Sequence, residues 1–418
     1  MRKKPKGYNQ YILFIIILYF FVFKDFLEQY ISWVGYTDEL FVLLAVPIFV
    51  FDLKKSHFIL RFKRQVGYGR CVILFLIIGF VSSFVYKYQD FIRIVLPDLL
   101  LCSKYWLSLY VGKHIFKGMN LDDFKKNIYE HIKVIACFYV ICMCIDSQLH
   151  IFAGEFRYGL KTTQLMYSHP TVFVACCILL IMLLIVVKDQ ADQWKWWLAL
   201  LLFFMCSTLR SKAFGGAIAV VLICYFVFYR KKKIRVRTLL MFVPLIIVIA
   251  WEQIEFYFFS SIQSDSARYQ LLAKSFEIAK DHFPLGSGFG TFASYYSGVR
   301  YSPLYKIYGL SAVNGLSMSN RAFMSDSFWP MILGQTGWFG CIAYIGALAL
   351  LFMEIQKLRK VNCDYYAASL CGLSYLLIAS MAESAFVHPL AIPIATFMGC
   401  LLKKNEDREE KMGLTNTE

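Results

Sequence analysis

Charge is scarce in this chain. Only 17% of its residues are Asp, Glu, Lys or Arg, against 59% apolar and 18% aromatic. So thin a polar inventory excludes an ordinary soluble domain. No internal repeat relates one half of the sequence to the other, which argues against a transporter assembled from two matched halves. The 13 cysteines stand singly or as neighbours such as Cys176 and Cys177, and none falls between residues 259 and 325. A disulfide framework is therefore not expected, and they read as small apolar residues. No His, Asp or Glu set has metal-ligand spacing, so neither a metal nor a cofactor is expected. Acidic residues are few, 28 against 44 basic, leaving a formal charge of +16. No nucleic-acid motif accompanies that excess, which belongs instead to short loops beside anionic lipid headgroups.

What fills the chain is a succession of apolar runs near twenty residues long, the mark of an all-α polytopic membrane protein, because each helix must satisfy its own backbone in lipid. Spans are predicted at 8–23, 37–53, 71–86, 92–112, 132–152, 170–187, 194–209, 213–229, 238–258, 326–353, 365–384 and 386–402. These twelve helices divide the chain into a first set within 1–258, a polar loop at 259–325, a second set within 326–402 and a solvated tail at 403–418. Arg2, Lys3, Lys4 and Lys6 precede the first run, and no small-residue cleavage site follows it, so it is a retained span. Lys and Arg concentrate in alternate connections, among them Arg61, Lys63, Arg64, Lys125, Lys126 and the run 230–237. That asymmetry puts both termini in the cytoplasm and the long loop outside.

Within the loop, Tyr269, Leu272, Phe276, Ala279 and Phe283 recur at helical spacing behind Ser264, predicting an amphipathic helix over 265–282 that stops at Pro284 and Gly286. The run Pro284, Leu285, Gly286, Ser287, Gly288, Phe289, Gly290 follows no strand, so it is not a dinucleotide fingerprint. It suits either a tight reversal needing positive φ or a nest of backbone N–H groups for an oxyanion. Tyr295, Tyr296, Tyr301, Tyr305 and Tyr308 suit either an interfacial aromatic belt or stacking on sugar faces.

Anions have a natural place between the seventh and eighth spans. There Arg210 and Lys212 coincide with the positive end of an inward-running helix, the other reading being two cations that snorkel to headgroups on a short hairpin. Arg157 and Lys161 lie ahead of the sixth span, which opens with Ser168 as cap, His169 and Pro170 in the first turn, so His169 is a structural or substrate-orienting residue. Candidate bases near the outer face are Asp146, Glu252, Glu255, Asp326 and Glu383, with Asp38 and Glu39 at the second span. Asp98 and Lys104 are six residues apart on one helix, so each ties to a different neighbour. Asp326 stands where the loop re-enters the membrane, as base or as helix N-cap.

Taken together, Arg157 with Gly159, the turn around Arg210 and Lys212, Arg268 leading into Pro284, Gly286, Gly288 and Gly290, and Asp326 leading into Gly334, Gly337 and Gly340 resemble the O-antigen polymerase and ligase superfamily. That resemblance covers roughly residues 157–345. It implies a bacterial inner-membrane glycosyltransferase of the metal-independent C-type class, acting on glycans carried by undecaprenyl pyrophosphate, with a chain-length regulator as a further partner. Arg210 and Arg268, with Arg157, Lys212 or Arg300, would hold the pyrophosphate, and Asp326 would deprotonate the acceptor hydroxyl. The ligase branch typically opens the helix after the loop with His-Asn. Asp326 and Ser327 stand there in this chain, which favours the polymerase branch. A ligase and a lipid-linked oligosaccharide flippase are the rival expectations.

Overall fold

A computed structural model describes residues 8–55, 67–115, 121–157, 159–231 and 266–411. The chain is an all-α, multi-pass membrane protein: among the described residues, seven helical segments are long and apolar enough to cross a bilayer. Its helices are α1 (Tyr8–Glu28), α2 (Thr37–Lys55), α3 (Gly67–Tyr86), α4 (Leu96–Ile115), α5 (Leu121–Leu149), α6 (Pro170–Val187), α7 (Trp194–Ser207) and α8 (Ser211–Cys224). After these come α9 (Ala267–Asp281), the short α10 (Tyr295–Val299) and α11 (Pro303–Ile307), then α12 (Phe328–Leu358), α13 (Cys363–Ser380) and α14 (Ala391–Lys411). A two-stranded antiparallel hairpin, β1 (Phe156–Arg157) with β2 (Leu160–Lys161), projects before α6. The predicted ninth span, with Glu252 and Glu255, lies outside the described residues.

The most apolar helix sits at the centre. Every residue of α6 is buried, as expected of a helix with no polar face. It packs on α5, α7 and α13, while α14 lies along α4 and α12 along α3. Gly112 and Gly399 face backbone carbonyls across the α4–α14 contact, so small residues set that close approach.

Helix ends segregate to two faces. On one, the α5–α6 connection meets the α7–α8 turn, and the 325–327 segment meets the end of α13; this is called the loop face. On the other, Lys113 pairs with Glu406, Lys188 with Asp364, and Arg359 reaches the carbonyl of Lys231.

Two boundaries differ from expectation. The fifth helix begins at Leu121, not 132, because its first turns are amphipathic and bury Phe124 and Ile128. Residues 403–411 continue α14 instead of forming a free tail: Glu406 accepts from Lys113 at 2.6 Å and Lys403 at 3.1 Å, and Asn405 is buried.

The 259–325 loop does not lie wholly over the bundle. Residues 286–294 are all buried, wedged between the loop-side ends of α3, α4 and α12. Helix α12 breaks at Gly337 (φ 61°, ψ −167°), and the carbonyls of Gly334 and Gln335 accept from the N–H groups of Ser287 (3.0 Å) and Gly288 (2.8 Å). A broken helix at membrane depth needs such partners, since irregular backbone is tolerated there only when protein satisfies it. Asp98 completes the wedge by accepting from Gly290 N at 2.7 Å.

Candidate functional site

The charged cluster on the loop face assembles from three turns. Leu209 (φ 52°) reverses the chain after α7, so Arg210 becomes the N-cap residue of α8 and Lys212 its second residue. Arg157 is on β1, and Glu155 just before it faces the same way as Arg157, two residues on. One Glu155 oxygen accepts from Arg157 Nη2 (3.1 Å) and Arg210 Nη2 (3.3 Å). Burial alone would raise the Glu155 carboxyl, but the Arg157 hydrogen bond and the charges of Arg210 and Arg157 outweigh it and hold it below the usual range. Lys212 pairs with Glu383, which follows the end of α13, and lies within electrostatic range of Arg210 and Arg268.

Arg268 closes the cluster from the first turn of α9, where its Nη2 stands 3.3 Å from Asp326 Oδ2. The expected cap role of Asp326 is not what the structure shows. Ser327 is the N-cap residue of α12, and the Asp326 carboxylate turns to Arg268. Ser384 Oγ donates to the Ser325 carbonyl at 2.6 Å, so the segment after α13 fixes the backbone beside Asp326.

His169, not Ser168, caps α6: its Nδ1 accepts from Thr171 N at 3.3 Å, with Pro170 in the first turn. Ser168 instead binds Asp25, its Oγ donating to Oδ1 at 2.9 Å. Burial and then the Arg210 and Lys212 charges lower the His169 pKa, so the imidazole stays neutral beside the cations.

Arg157, His169, Arg210, Lys212, Arg268 and Asp326 are thus brought together. Other predicted residues are elsewhere. Arg300 pairs with Asp90 on the α3–α4 connection at 3.7 Å. Tyr305 is fully buried, its hydroxyl accepting from Ala293 N (3.0 Å) and bonding Ser297 Oγ (2.9 Å), so it braces the glycine segment and has no face for a sugar. Tyr301 donates to the Leu316 carbonyl at 2.9 Å beneath Arg321. Tyr295 is exposed and meets Tyr296 edge-on, while Tyr296 borders an apolar crevice between α2 and α4. Asp146 is engaged by Lys161 at 3.1 Å.

The anion-nest expectation fails at the glycine segment. Gly286 N donates to the His282 carbonyl (2.9 Å), Phe289 N to Ser83 Oγ (2.9 Å), and Ser287, Gly288 and Gly290 to the acceptors given above. The other expectation holds, because Gly286, Gly288 and Gly290 all have positive φ.

Helix α9 is also rotated from its predicted face. Ala267, Leu271, Ser275, Ile278 and Ala279 are buried, whereas Phe276 and Phe283 are exposed beside Trp338 and Phe339. Small residues let α9 lie close on α12, and the large rings take the interface. Lys104 pairs with Asp38 on α2 and Asp98 with the glycine segment, two separate ties from one helix. Glu155 escaped sequence reasoning; the one signal was its Glu-x-Arg spacing on an extended segment. Among the described residues no group of three His, Cys, Asp or Glu is placed to hold a metal ion. No protein-family model matches the chain, and no curated protein matches it either.

Proposed function

We propose that this chain is a membrane-embedded glycosyltransferase: a polymerase that joins undecaprenyl-pyrophosphate-linked repeat units into O-antigen or capsular polysaccharide at the outer face of a bacterial inner membrane. The observation that carries this reading is the convergence of Arg210, Lys212 and Arg268 at the N-terminal end of α8, with the carboxylate of Asp326 in contact with Arg268, beside an apolar bundle. The resemblance adds the substrate class.

In this reading the loop face is the outer face, both termini are cytoplasmic and the spans number twelve. The chain leaves α8 on one face and enters α9 on the other, a change of face that the predicted span at 238–258 accounts for.

Chemically, an acceptor sugar hydroxyl attacks the anomeric carbon of the donor glycan. The new glycosidic C–O bond forms as the bond from that carbon to the pyrophosphate oxygen breaks. Undecaprenyl pyrophosphate leaves with the electron pair, and the hydroxyl proton passes to Asp326. Charge growing on the leaving oxygen is met by guanidinium groups suited to bidentate phosphate contact and by the free N–H groups of α8. Arg268, in contact with Asp326, links the phosphate end of the site to the base.

Purified protein supplied with one lipid-linked repeat unit should yield a ladder of longer lipid-linked products. Transfer only to a different lipid acceptor would identify a ligase. Translocation of the unit across a vesicle membrane without a ladder would identify a flippase.

A further inference from the structure

A second site lies away from the cationic cluster. Between α2 and α4 is a cavity of about 340 Å³, within the size range of lipid and small-molecule pockets. Its walls are apolar, including Val42, Leu43, Leu96 and Leu100, and Leu43 and Ile92 are exposed at its edge, so it opens sideways toward the bilayer. One end is polar, formed by Glu39, Lys104 and Tyr296.

The charges at that end do not balance. Lys104 is taken by Asp38, which also holds Lys24 at 3.3 Å, and Lys24 reaches Glu28 at 3.4 Å. Among the described residues, two lysines therefore face three carboxylates. The third is Glu39, whose carboxyl lies against Asp38 and within electrostatic range of Lys104, while its Oε2 is buried and has no hydrogen-bond partner among the described residues. A buried carboxylate oxygen without a donor is costly, and a ligand that brings a donor and one positive charge removes the cost. A phosphate at this position would meet uncompensated negative charge, so the crevice is unsuited to the pyrophosphate that the cationic cluster would take.

We propose that the crevice binds a membrane phospholipid bearing a primary ammonium, with one acyl chain between α2 and α4, the ammonium donating to Glu39 and the Tyr296 hydroxyl completing the head-group site. This inference does not depend on the glycosyltransferase reading.

Native mass spectrometry of the purified protein, titrated with phosphatidylethanolamine, phosphatidylcholine and phosphatidylglycerol of identical acyl chains, tests it. The wild type should retain one phosphatidylethanolamine at about tenfold preference over both others, because a quaternary ammonium has no N–H to donate and a glycerol head brings no positive charge. Glu39→Gln should bring the three lipids to similar affinity, and Tyr296→Phe should weaken phosphatidylethanolamine several-fold. Leu100→Trp, which fills the crevice, should lose the retained lipid of every class, with unchanged thermal unfolding showing that each variant is folded. Equal or stronger retention of phosphatidylglycerol by the wild type, a preference that survives Glu39→Gln, or retention that survives Leu100→Trp would each overturn the proposal.

Discussion

Glu155 is the carboxylate of the cationic cluster most ready to yield. Its side chain is 60% exposed and rides beside a two-stranded hairpin, whereas Glu383 is 22% and Asp326 33% exposed and both flank long helices. In the polymerase reading, a phosphate that engages Arg210 competes with Glu155, which is 3.3 Å from that guanidinium. Glu155→Gln should therefore bind inorganic pyrophosphate about three- to tenfold more tightly by calorimetry, the size expected for removing one partly exposed charge competitor; weaker binding would show that Glu155 orients the arginines instead. Arg210→Ala and Arg268→Ala should each abolish polymer at normal protein abundance, and Lys at either position should restore only part, since it lacks the guanidinium fork. Full polymer from both Ala variants would exclude them from the site. Asp326→Asn keeps the shape and the oxygen facing Arg268 while removing the base, so folding should persist and chain extension stop. Long polymer at an unchanged rate would move the base elsewhere, with Glu383 next in the cluster. The cations and Asp326 of this cluster were singled out from sequence because basic residues outside the Lys- and Arg-rich connections are sparse and conspicuous. Glu155 was not, because an acidic residue in a polar connection looks like solvated surface until its partners, 55 residues apart in the case of Arg210, are brought beside it.

Among the elements, the apolar runs predicted most of the described helices to within a few residues, since length and hydropathy alone decide whether a segment can span lipid. Ends governed by tertiary partners were harder: α14 runs on to Lys411 because Lys113 on α4 holds Glu406. The buried course of residues 286–294 was not legible at all. The acceptors that make it tolerable, Ser83, Asp98, Gly334 and Gln335, come from three other helices. A Cβ at Gly288 (φ 96°) would sit 2.7 Å from Ser83 Cα, whereas one at Gly309 (φ 72°) would meet nothing within 4 Å. Gly288→Ala should then cost about 3 kcal/mol or more, combining strain with overpacking, and Gly309→Ala about 1 kcal/mol from strain alone. Thermal unfolding of the two variants in one detergent checks the order, and equal loss would mean that the wedge is not a tightly packed part of the fold.

For the molecule as a whole, cations have carboxylate partners on both faces, but the basic residues at helix ends gather on one of them. On the loop face Arg157, Lys161, Arg210, Lys212, Arg268 and Arg300 each have a carboxylate partner. The opposite face carries Lys113, Lys188, Arg230, Lys231, Lys357, Arg359, Lys360, Lys403 and Lys404 at the ends of α4, α6, α8, α12 and α14. In the proposed topology, basic residues massed at connections on one side would hold that side in the cytoplasm. Reporters inserted near residue 300 should therefore be external, and those near residues 191, 233 and 361 and at the C-terminus cytoplasmic. The proposed topology has a chemical consequence, because under the polymerase reading lipid-linked glycans in the outer leaflet would have to reach the face that carries Arg210, Arg268 and Asp326. A cytoplasmic reporter at residue 300 would put those three residues on the side of the nucleotide-sugar enzymes, and the polymerase reading would fall with the topology.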